Sequence, residues 1–176
     1  GEDYIISLKA YLLSFNMDLF VSRMNQSLVC SLRLSSHDFI KSWMEQLILP
    51  VGIDQDLKPM YRSLKKNKEL KQAYKGLKST YPSLRDYIEF NGKLAFLTFV
   101  CQQLGVLEQP YDYLINYENG MYRPAILFYE FMSRSLKNKG QSVEEYIAYV
   151  ILTVELDSYE DRSTMILNQQ GEKGRY

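Results

Sequence analysis

Leu94-Ala95-Phe96-Leu97-Thr98-Phe99-Val100-Cys101 is the stretch on which the fold turns. Seven of its eight side chains are apolar, so it has no polar stripe to give to solvent. A helix of this kind must be covered by neighbours on several sides. Read instead as a strand, the same run would follow a hairpin turn at Asn91-Gly92. The flanks decide for helix. Leu84-Arg85-Asp86-Tyr87-Ile88-Glu89 is amphipathic at helical spacing, and Gly105 is placed to end a helix. We therefore expect a helix over about 82–104, capped by Ser79 or Thr80 with Pro82 in its first turn, and a buried centre at about 94–104. Phe96 and Phe99 should be buried on different sides of it. Gly92 should weaken this helix by about 1 kcal/mol relative to Ala, and would allow close packing.

Moving outward, the pattern stays helical. Upstream, Tyr4, Ile5, Leu8, Tyr11, Leu12, Phe15 and Leu19 recur at steps of three and four, which predicts a helix over about 3–22 with Asp3 as N-cap. Leu28, Cys30, Leu32 and Leu34 alternate, but an isolated strand has no partner in this chain, so they read as a frayed helix end or buried connector. Ser35 and Ser36 precede a regular stripe of Phe39, Ile40, Trp43, Met44, Leu47 and Ile48 that Pro50 stops. Trp43 is read as a core anchor, with partner binding as the alternative.

Downstream, Pro110 opens a short tyrosine-rich turn of helix that Asn119-Gly120 ends. Pro124 starts a helix expected to reach about 138, with Gly140 beyond it. Ser142 and Glu145 have capping-box spacing and begin a final long helix, acidic in its later half. The segment 168–176 reads as a disordered tail. The connections are short and no linker divides the chain. The expected fold is all-α: one domain, 1–167, of six to seven helices around the 94–104 segment.

Composition agrees. With 176 residues, 46% hydrophobic and 24% charged, the chain can bury a core without disulfides or metals. Cys30 and Cys101 lie in apolar surroundings and read as buried thiols. No apolar run approaches the roughly 20 residues of a membrane span, and no charged-then-apolar leader opens the chain. An intracellular location is the expectation.

Charge is the most informative feature for function. The formal net charge is zero, yet the 21 residues from Lys58 to Lys78 carry eight basic side chains and one acid, Glu69, for a charge of +7. The remainder of the chain is therefore at −7. The basic residues are Lys58, Arg62, Lys65, Lys66, Lys68, Lys71, Lys75 and Lys78. Leu57, Met60, Tyr61 and Leu64 form one apolar stripe. Leu70, Ala73, Tyr74 and Leu77 form another, roughly 140° away on a helix. One straight helix cannot bury both, so a break is expected near Lys65–Lys68 with Asn67 as the turn residue. Lys65, Lys66 and Lys68 would then crowd an exposed elbow.

Motifs for chemistry are not evident. The glycines form no phosphate loop, and no Cys/His spacing suits zinc. His37, the only histidine, falls in a first helical turn and reads as an exposed or capping residue. The carboxylates Glu144/Glu145 and Asp157/Glu160/Asp161 read as a cap and a solvated helix face. No catalytic residue, metal or cofactor is assigned.

The ten residues from Phe90 to Phe99, Phe-Asn-Gly-Lys-Leu-Ala-Phe-Leu-Thr-Phe, superficially resemble the central-helix motif of Bcl-2-like proteins, Asn-Trp-Gly-Arg followed by an Ala and a Phe. Here the Trp is missing, the Ala and Phe fall one position early, and no Trp-containing second motif follows, so the family is not assigned.

The functional expectation is a non-enzymatic helical module for protein–protein interaction or assembly, with the basic surface at 58–78. The alternative is a nucleic-acid-binding protein using the same lysines on phosphates; Tyr61, Tyr74 and Tyr81 are candidate stacking groups, although the phase of the two stripes turns Tyr61 and Tyr74 towards the core. A lysine-rich face that is merely solvated fits the same residues. The charge polarity also permits head-to-tail self-assembly of the elbow with the acidic 155–161 segment of another copy.

Overall fold

The computed structural model describes residues 41, 44–53, 57–135 and 141–173. The expectations for the first helix, Cys30, His37, Trp43 and Gly140 fall outside these residues. Among the described residues the fold is all-α, with no strand. Residues 44–48 are helical and turn at Leu49-Pro50. Seven α-helices follow: α1 (Lys58–Leu64), α2 (Lys68–Lys75), α3 (Leu84–Gln103), α4 (Pro110–Asn116), α5 (Pro124–Arg134), α6 (Val143–Thr153) and α7 (Tyr159–Lys173). A 3-10 turn, Tyr117–Gly120, joins α4 to α5.

Helix α3 is the hub. It packs most extensively against α5, and also against α6, α4 and α2. Leu94, Ala95, Phe96, Leu97, Thr98, Val100 and Cys101 are all buried. Phe96 meets Tyr146 of α6 edge-to-face, ring centroids 6.0 Å apart. Phe99 departs from expectation: it is only partly buried, packed against the outside of the core cluster. The Thr98 hydroxyl donates to the Leu94 carbonyl at 2.8 Å, so the one polar side chain of the apolar run is satisfied within its own helix.

Helix α3 is also buried well before residue 94, and the reason is tertiary. Asn91 is fully buried. Its Nδ2 donates to the Tyr87 carbonyl at 2.8 Å. Its Oδ1 accepts from the Ala125 backbone N–H at 3.1 Å. Ala125 is in the first turn of α5, so a residue in the middle of one helix caps the start of another. Gly92 admits α6: a Cβ there would stand 2.7 Å from Ile151 Cδ1 and 3.1 Å from Ile147 Cγ2.

The ends of α3 follow local chemistry. Its cap is Ser83, not Ser79 or Thr80, and Pro82 precedes the helix. The Ser83 Oγ accepts from the Asp86 N–H at 3.2 Å while the Asp86 carboxylate accepts from the Ser83 N–H at 2.9 Å. Asp takes the place of Glu or Gln in this capping box, which is why the expected signature was not found here. At the other end Gly105 has φ +67°, donates to the Gln102 carbonyl, and lets Val106 donate to the Cys101 carbonyl. That pair of bonds is the Schellman closure.

Ser142 and Glu145 form the expected capping box on α6, with bonds of 2.8 and 3.1 Å. The single final helix is corrected to two. The chain is extended at Val154 and takes φ +52° at Ser158. This turn brings Leu156 and Tyr159 into the core and lays α7 against α5. Helix α7 continues through Asn168 to Lys173, into the segment read as a tail. Helix α5 ends at Arg134 rather than about 138, with Ser135 extended beyond it.

Candidate binding surface

The break in the basic segment is where the phase change places it. Helices α1 and α2 are separate, and Asn67 is the N-cap of α2. Its Oδ1 accepts from the Leu70 N–H at 3.1 Å, and its Nδ2 donates to the Leu156 carbonyl at 2.8 Å. The elbow is thus capped and also tied to the α6–α7 turn. The apolar stripes on either side are inserted: Leu57, Leu64, Leu70 and Leu77 are buried, and Met60 and Ala73 partly so.

With those stripes facing inward, Lys58, Lys65, Lys66, Lys68, Lys71, Lys75 and Lys78 are exposed. The Arg62 side chain is outside the described set. Lys68, Lys71 and Lys75 lie along one face of α2 at three- and four-residue steps. The two ion pairs found among the described residues, Arg85–Glu89 and Arg134–Glu130, involve none of the lysines from Lys65 to Lys78. Glu69, the one acid of the segment, is partly buried, and its Oε2 is enclosed without a hydrogen-bond partner.

The tyrosines do not join this surface. Tyr74 donates its hydroxyl to the Tyr81 carbonyl at 3.0 Å. Tyr81 is buried, and its hydroxyl and that of Tyr122 are 3.0 Å apart. Their rings belong to a cluster with Tyr87, Phe90 and Tyr122, at centroid distances of 4.9 to 6.2 Å. Burial pushes the Tyr81 and Tyr87 hydroxyls well above the ordinary phenol range. Tyr61 is partly buried, and the Arg85 guanidinium lies 5.9 Å from its ring centre.

The elbow and the acidic segment are neighbours within one chain. The Asn67–Leu156 bond sets Lys66 and Lys68 beside a turn that also carries Glu155 and Asp157. Head-to-tail pairing of these two segments between copies would have to compete with that arrangement.

Two features were not found from sequence. Arg85 and the partly buried Tyr61 face each other although they are distant in the chain, and no local pattern joins them. Tyr149 and Leu152 stand three apart on α6, 45% and 44% exposed, where helical spacing alone gave no sign that the core would leave them out. Among the described residues, no group of three or more His, Cys, Asp or Glu is placed to hold a metal ion. No helix among them is long and apolar enough to cross a membrane. Burial pushes the Cys101 thiol up to about 12 and leaves it a poor nucleophile. Comparison with protein-family models, with curated proteins and with solved structures finds no match.

Proposed function

We propose that this chain is a non-enzymatic helical interaction module whose lysine face on the elbow and α2 docks an acidic surface of a protein partner. The observation that carries the reading is the row from Lys65 to Lys78, exposed and outside any ion pair among the described residues, on helices whose other face is committed to the core. Charges arranged in this way steer encounter and select partners by complementarity more than they add raw affinity. The inward tyrosines argue against a single-stranded nucleic acid, which needs aromatic platforms. The exposed Tyr149 and Leu152 suit a protein partner better than a polyanion.

A second reading, contact with the phosphate backbone of a duplex, is favoured by one observation: the exposed cations are lysines, which act as point charges on phosphate. Titration of polyglutamate, duplex DNA and single-stranded RNA against the protein over a range of salt separates the two. The protein-docking reading expects polyglutamate to bind at low salt and a Lys68/Lys71/Lys75→Glu variant to lose it while staying folded. The duplex reading expects a log–log salt slope of about −0.9 for each phosphate neutralised. A folded variant that binds every probe as the parent does refutes both and leaves a solvated face.

A further inference from the structure

The lysine face has no apolar centre. From residue 64 to residue 80, the exposed positions other than lysine are Gln72, Gly76, Ser79 and Thr80. Every Leu, Ala and Tyr of the stretch is buried or half-buried. Interfaces between folded proteins are anchored by apolar and aromatic side chains at a desolvated centre, with charges at the rim. The outer side of α2 supplies the rim chemistry alone.

The acids of the neighbourhood approach α2 from one flank. Burial, with the charge of Glu69 among the lesser causes, pushes the Tyr159 hydroxyl above the ordinary phenol range. The Glu69 flank therefore faces the start of α7, and the Asn67–Leu156 bond holds the acidic α6–α7 turn at the same end. On a helix of 3.6 residues per turn, Lys71 lies about 160° round from Glu69 and Lys75 about 120°. Those two lysines project away from the acidic turn. Lys78 is exposed just beyond α2, and none of the three enters an ion pair among the described residues.

We propose that Lys71, Lys75 and Lys78, with Lys68 at the near end, hold a short run of Glu or Asp in a protein segment that stays disordered while bound. The inference rests on the docking reading and narrows its partner from an acidic surface to an acidic unstructured chain. Lys68 to Lys78 spans about 15 Å along the helix direction, which an extended chain covers with about five residues. Exposed charge pairs each contribute little and are screened by salt. No single contact fixes a register, and a chain left mobile avoids an ordering cost that such contacts could not offset.

Fluorescence anisotropy at low salt tests it with three labelled peptides of equal charge. Two are Gly/Ser peptides with the same glutamates in different orders, and the third is an alanine-based helix carrying them along one face. The two flexible peptides should bind within about twofold of each other, and circular dichroism should show no helix gained in the complex. Lys71→Ala, Lys75→Ala and Lys78→Ala should each weaken binding by a similar factor of about two to five. Three results would overturn the disordered partner and leave docking of an acidic surface standing: binding of the helical peptide alone, a difference of about tenfold or more between the two orders, or one lysine whose loss costs about thirtyfold. Tighter binding of duplex DNA than of either flexible peptide at the same salt would replace the acidic partner with phosphate. Failure of every acidic peptide to bind, or equal binding by Lys68/Lys71/Lys75→Glu, would overturn the docking reading and this inference with it.

Discussion

Helix α3 and the α1–α2 elbow are opposite solutions to one problem, how a helical segment disposes of its side chains. Helix α3 is covered on several sides, with 12 of its 20 residues buried. The elbow is covered on one side only, and it changes direction at Asn67 so that both of its apolar stripes can reach the same core. What the elbow leaves outside is its lysines. Stability is therefore concentrated in α3, and exposed positive charge in the elbow.

The sharpest way to break this contrast is in α3. Phe96→Ala should cost about 3–5 kcal/mol, because it empties a fully buried site against Tyr146. Phe99→Ala, at a partly buried position, should cost about 1–2 kcal/mol. Equal shifts of the denaturation midpoint would show that α3 is covered evenly. The next effect belongs to the elbow's anchor. Asn67→Ala removes a cap and the bond to Leu156 and should cost about 1–3 kcal/mol. Asn67→Ser retains the cap alone and should recover part of that loss. Full recovery would mean that the tie to the α6–α7 turn contributes nothing.

Gly92→Ala sets two terms against each other. Ala should favour the helix by about 1 kcal/mol, and overpacking against Ile151 should cost about 1–3 kcal/mol. A net loss of about 1 kcal/mol is expected by urea denaturation, relieved when Ile151→Val removes the methyl nearest the new Cβ. A stabilised single variant would show that α6 yields easily.

The smallest effect on stability is expected at the lysines. Lys68/Lys71/Lys75→Glu should change unfolding free energy by about 0.5 kcal/mol or less, while abolishing polyglutamate binding. Chemical labelling extends the contrast with no change in sequence. The Lys65, Lys66, Lys68 and Lys71 amines should acylate readily in the native protein. The Cys101 thiol should resist alkylation until the chain unfolds, since burial holds it protonated up to about 12. Rapid modification of Cys101 at neutral pH would mean that the α3 core opens.

Local signals set much of this protein's architecture from sequence alone. The helical periods, the break at Asn67, the capping box at Ser142 and Glu145, and the stop at Gly105 each depend on residues within a few positions of one another. Such features are readable because the hydrogen bonds that create them close over three to five residues. The exposure of the lysines was legible for the same reason, since the inward stripe defines the outward one.

The remainder needed the tertiary structure. Asn91 reads as an ordinary residue within a helix, but it caps α5, whose first turn lies 34 positions away. The final helix looked continuous, but it breaks so that Leu156 and Tyr159 can enter the core. Tyr81 looked available to a ligand, but it is buried with its hydroxyl against that of Tyr122, 41 positions away. Tyr61 and Arg85 come together only when α1 is laid against the start of α3. In each case the deciding partner is remote in the chain, and only packing around α3 selects it from the many groups that could have served.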